Sequence, residues 1–169
     1  MFGKLFGGKQ KVPSGFRSNP KKIDDARELS VVTDTATVVI YDLAALKHRQ
    51  SDACDWWTMP KPELEELNLR NVLILGLGSD GFYSVTLNEG ARTDLSQFSL
   101  CFPTGEIFVG PGEELTGGDF EPTGGHGGYF ISMTPGDYSV SAEIQGDNIQ
   151  IWLSVAPAFD NNQTKPVNL

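Results

Sequence analysis

The chain has 169 residues, a formal charge of −9, 39% hydrophobic residues and two cysteines. That length supports one domain with a substantial core. No apolar run reaches the length of a membrane-spanning helix. Two isolated cysteines exclude both a disulfide framework and a structural zinc site built from cysteines. The opening residues lack the apolar stretch of a secretory signal. Cys54 and Cys101 are therefore expected to be reduced thiols in a cytosolic protein.

The charge is unevenly spread. Residues 1–22 carry Lys4, Lys9, Lys11, Arg17, Lys21 and Lys22 and no acid, so this stretch is +6. Removing +6 from a total of −9 leaves −15 on residues 23–169. No Lys or Arg lies between Arg92 and Lys165, while ten acids do. A basic arm precedes an acidic body.

Residues 1–28 read as a flexible basic arm, because Gly, Ser and Lys dominate and Pro13 and Pro20 interrupt any helix. Phe2, Leu5 and Phe6 among the lysines leave open a weak contact with an anionic bilayer surface. A single β-domain is expected over 29–156. "LSVVTD" and "ATVVIYD" are β-branched strands. Asp42 is placed to cap a short helix, "LAALKHR", and Pro62 suits the first turn of a second, "PELEELN". "NVLILGLG" is a continuous apolar run, as in a strand covered on both faces. "FYSVTL", "SQFSLCF", "EIFVG", "GYFISM", "DYSVSAEI" and "IQIWLSV" follow as strands, with Gly- and Pro-rich turns between them. Residues 157–169 read as a polar, loosely held tail. The pattern predicts an antiparallel β-sandwich or partly closed barrel of about nine strands, with two short helices in the first third.

Candidate sites follow from the acids and aromatics. "GDFEPTGGHGGYF", residues 118–130, lies between strands and has no nearby cation, which argues against a phosphate cradle. His126 with Asp119 and Glu121, or Glu113 and Glu114 with Asp119, offers metal-ligand types, but not the dense spacing of a calcium loop or a second histidine. No metal, cofactor or catalytic residue is assigned on these grounds. His48 falls in the last turn of its helix, where its charged form suits the dipole. Glu113, Glu114, Asp119 and Glu121 form an uncompensated acidic stretch expected to face a positively charged partner. Asp55, Trp56 and Trp57 join them, since adjacent tryptophans in an extended segment point to opposite sides and one is then free to anchor an interface. The alternative is that both tryptophans cover the end of the sandwich.

"DTATVVIYDLAALKHR", "DWW", "LGLGSDGFYSV" and "FVGPGEELTGG…PGDYSV" together resemble a family of small, uncharacterised bacterial cytosolic proteins, over roughly residues 29–155. Proteins of this size and acidity are often immunity proteins encoded beside antibacterial toxins. The resemblance implies no cofactor and no active residue. The resulting expectation is a non-enzymatic cytosolic module that binds a basic protein, most simply a toxin such as a nuclease, and not nucleic acid. Two rivals are a structural or adaptor component of a bacterial or phage assembly, and a carboxylate- or metal-dependent enzyme acting on a carbohydrate.

Overall fold

The structure, a computed structural model, describes residues 21–22, 27–124 and 127–169. Most of the basic arm and His126 lie outside the described residues.

Two sheets form a sandwich. The six-stranded sheet runs β1 (Lys21–Lys22), β8 (Tyr129–Ser132), β7 (Glu106–Pro111), β3 (Thr37–Asp42), β4 (Val72–Gly76) and β11 (Val167–Asn168). The five-stranded sheet runs β2 (Arg27–Thr33), β5 (Gly81–Glu89), β10 (Asn148–Val155), β9 (Gly136–Gln145) and β6 (Phe98–Phe102). The nine longer strands are those anticipated from alternation, and the two-residue β1 and β11 join them. Most pairs are antiparallel. The long exception is β5 with β10, which run parallel from Ser84↔Asn148 to Glu89↔Leu153. Sheet formation starts earlier than the β-branched pattern suggested, since Lys21–Lys22 pairs with β8 and β2 begins at Arg27.

The period-2 alternation sends Tyr83, Val85 and Leu87 of β5 and Ile149, Ile151 and Leu153 of β10 into the space between the sheets. There they meet Val38, Ile40, Leu73 and Leu75 from β3 and β4. The continuous apolar run of β4 has the expected cause. Val72 and Ile74 face outward, with Val39 and Tyr41, into a second core under Leu46, Trp56 and Trp57. The cover is supplied by a 3-10 helix at Leu43–Arg49 and a 3-10 turn at Trp56–Thr58.

Asp42 explains the first of these. Its buried carboxylate accepts from the Ala44 N–H at 2.9 Å, which caps the helix. It also accepts from the Thr104 N–H at 2.8 Å and the Gly105 N–H at 2.9 Å, tying the β6–β7 turn to the end of β3. Gly105 sits at φ +73, where a Cβ would strike the Met133 carbonyl. Helix α1 (Pro60–Asn68) has Pro62 in its first turn as expected but starts two residues earlier, at Pro60, and it places Leu64 and Leu67 against the main core.

The polar tail is not loose in the structure. Val167 and Asn168 pair with Leu75 and Gly76, and Leu169 packs on the main core. Composition hid this, because the docking combines backbone and amide hydrogen bonds with only two apolar side chains, Val167 and Leu169, too few to read as a stripe.

Candidate functional site

The acidic residues singled out in the sequence separate into two places. Glu113 lies in a 3-10 turn, Gly112–Glu114, that follows β7. Its carboxylate accepts from the Asp34 N–H at 2.8 Å, the Thr35 hydroxyl at 2.5 Å and the Thr33 hydroxyl at 3.1 Å. Glu113 therefore organises the β2–β3 turn. Burial pushes its carboxyl up, but the Thr35 hydroxyl and the Asp34 N–H outweigh this and hold it below the ordinary glutamate range. The exposed Asp34 carboxyl is raised by Glu113 and further by the charge of Asp80. Asp34 and Asp80 are neighbours because Thr33 pairs with Gly81.

Asp119 lies elsewhere, on a turn bonded to the segment that precedes Asp55. Gly117–Phe120 closes a tight turn, with Gly117 N–H donating to the Phe120 carbonyl at 3.1 Å and Phe120 N–H to Gly117 at 2.9 Å. Gly118 and Asp119 at its centre have φ of +58 and +60, the backbone of a type I′ turn. That turn is clamped onto the segment after the first 3-10 helix. Gly118 N–H donates to the Asp52 carbonyl at 2.6 Å, and Asp119 N–H to Gln50 at 2.7 Å. The exposed Asp119 is thereby held against the 50–55 segment that carries the exposed Asp55, and Glu121 follows half-buried. The described part of 118–130 thus opens on this clamped turn and ends in the first two residues of β8, Tyr129 and Phe130.

Three of the proposed interface residues are corrected. Trp56 and Trp57 are both buried, and Glu114 is buried too. The tryptophans sit in a 3-10 turn rather than an extended segment, so adjacent side chains need not diverge. Trp56 donates its indole N–H to the Thr116 carbonyl at 2.8 Å, and Trp57 packs on the face of Gly112. Glu114 presents its carbonyl to the buried Tyr41 hydroxyl at 3.3 Å. The alternative reading of the tryptophans, as cover for the core, is the one observed. Glu113, though exposed, is committed to intrachain bonds.

Sequence reasoning missed a buried ionic network. Glu66 on α1 receives His48 Nε2 at 2.8 Å, Arg49 Nε at 2.7 Å and Asn71 Nδ2 at 2.7 Å. Arg49 also bonds Asp52 at 2.8 Å, and its guanidinium lies 5.0 Å over the Trp56 ring. Burial alone would push the Glu66 carboxyl up, but Asn71, His48 and Arg49 together lower it. His48 is thus held by a carboxylate rather than only by the dipole of its helix. No sequence signal links positions 48 and 66, because the two helices are brought together only by packing on the same sheet. Nearby on α1, Glu63 is 8% exposed and its carboxyl is pushed up to about 7 by burial.

Cys101 is a poor nucleophile here, since burial and then the charge of Asp137 push its thiol up. Among the described residues, no group of three His, Cys, Asp or Glu side chains converges as a metal site would require. None of their helices is long and apolar enough to cross a membrane.

These features define a two-sheet β-sandwich with an added outer layer and acidic loops at its margins. Over residues 25–169 the chain matches the family described as "Family of unknown function (DUF6386)", and it belongs to that family. The match takes in the C-terminal segment, in keeping with its docking. Among curated proteins, none matches the chain. A solved structure titled "Crocagin biosynthetic gene J" is similar in fold, with a TM-score of 0.51 and 14% identity, covering 79% of this chain and 98% of that one.

Proposed function

We propose that this chain is a non-enzymatic binding module that presents acidic loops to a basic protein partner. Within that class we read it as an immunity-type protein that occupies the basic site of a toxin. One observation carries the reading: the clamp of Gly118 and Asp119 onto Asp52 and Gln50, which holds Asp119 against the segment bearing Asp55. Exposed acids on one part of the surface gain nothing from one another within the monomer. A cationic partner supplies the missing charge, and complementary potentials speed the encounter. The absence of Lys and Arg from residues 93–164 extends the same field along the chain.

The test is titration with the protein encoded next to this one in its genome, at several salt concentrations. Asp55→Lys combined with Asp119→Asn is the variant of choice, because Asn tolerates the positive φ at 119. Association about tenfold slower in the variant, with a flatter salt dependence, supports the reading. Unchanged kinetics remove this surface from the interface, and an absence of binding by the wild type defeats the module reading for that partner.

A further inference from the structure

The four sheet edges of the sandwich are treated unequally. β1 and β11 are two residues long. The edge of β6 is plugged, with Ser99 bonded through both backbone groups to the Asn161 amide and Cys101 N–H donating to the Arg70 carbonyl at 2.9 Å. β2 differs. It is seven residues long, it ends its sheet, and among the described residues none pairs with its outer edge. Unpaired edges of this length invite another strand, and proteins ordinarily blunt them with charge, proline or a bulge.

Charge is confined to the start of β2, at Arg27 and Glu28, and its other end is apolar on the outer face. Val32 is 46% exposed and is paired in register with Phe82 of β5, which is 78% exposed. Both lie on the outer face, so the edge carries an apolar step. Just beyond it, the strand ends at Asp34 and Asp80, with Glu113 bonded to the turn between β2 and β3. The Asp34 carboxyl is raised first by its hydrogen bond with Glu113 and then by the charges of Glu113 and Asp80.

We propose that the open edge of β2 docks an extended segment of a basic protein partner, adding a strand whose apolar side chain covers Val32 and Phe82 and whose Lys or Arg meets the Asp34–Asp80 end of the sheet. The inference rests on the module reading above and names how such a partner engages. Backbone bonds to the β2 edge supply affinity without regard to sequence. A strand added about 4.8 Å from β2 puts every second side chain on the outer face beside Val32. The acids then select a cation at one end.

The probe is the blocked peptide acetyl-Thr-Val-Thr-Val-Thr-Lys-Lys-amide, titrated into the full 15N-labelled chain. The expected result is chemical-shift change and slowed amide exchange confined to residues 28–34 and 80–82. Replacing the two lysines of the peptide by glutamates should weaken binding by about tenfold, as should Val32→Thr combined with Phe82→Ser in the protein. Both protein positions are exposed, and an unchanged melting temperature confirms that the variant folds. No binding, shifts that bypass β2, equal binding of the Lys and Glu peptides, or concentration-dependent self-association through β2 would overturn the proposal. Failure here is distinguishable from failure of the module reading. If Asp55→Lys with Asp119→Asn weakens the natural partner while Val32→Lys with Phe82→Lys leaves it unchanged, the module stands and the docking edge falls.

Discussion

Asn161 lies against Ser99 as a neighbouring strand would. Its Oδ1 accepts from the Ser99 N–H at 2.7 Å, and its Nδ2 donates to the Ser99 carbonyl at 3.0 Å and to the Leu67 carbonyl at 2.5 Å. One side chain thus closes the β6 edge and ties the end of α1 to it. Asn161 is itself buried. Asn161→Ala should therefore leave a buried N–H and two carbonyls short of partners and cost about 2–4 kcal/mol. Urea unfolding measures this. A loss under about 0.5 kcal/mol would show that water replaces the amide without penalty.

The Glu66 network predicts a dependence on pH. Its carboxyl is lower in the fold than the ordinary 4.5, so its contribution is present above about pH 4.5 and is lost as pH falls through the lower folded value. Glu66→Ala should cost about 2–3 kcal/mol at pH 7, since Asn71, His48 and Arg49 lose their shared acceptor while Arg49 keeps Asp52. Below pH 3 the difference between variant and wild type should shrink. Thermal unfolding of both proteins at pH 3 and pH 7 checks it.

Glu63 predicts the opposite sign. Its carboxyl is raised from 4.5 to about 7, so the folded state holds the proton more tightly than the unfolded chain. Between pH 4.5 and 7 stability from this group falls as pH rises, and above 7 the full cost is present. Glu63→Gln should stabilise by about 1–3 kcal/mol at pH 8 and by almost nothing at pH 4.5. A constant difference across that range would place the Glu63 carboxyl in water.

Glu113 and Glu114 behave as structural groups. Glu113→Ala should cost about 1–2 kcal/mol through the lost bonds to Asp34, Thr35 and Thr33. Glu113→Lys with Glu114→Lys should destabilise further, because a lysine at the buried position 114 places a charge in the protein interior. Denaturant midpoints rank the three proteins. If the double lysine variant is as stable as wild type, these acids are surface groups after all.

Strand positions were legible in the sequence because the alternation of Tyr83, Val85 and Leu87, or of Ile149, Ile151 and Leu153, is a property of one segment in contact with one core face. The cap at Asp42 and the prolines of α1 were legible for the same reason, each acting within a few residues. What the tertiary structure alone decided were relations between distant segments. It turned Trp56 and Trp57 to the same interior, joined Glu66 to His48 and Arg49, and seated the tail through Asn161. It also brought Asp34 and Asp80 to one end of a sheet whose outer strand, β2, has no strand beyond it among the described residues. The physical reason is that periodicity reports which face of an element is dry, whereas hydrogen bonds and charge pairs depend on which other element arrives there.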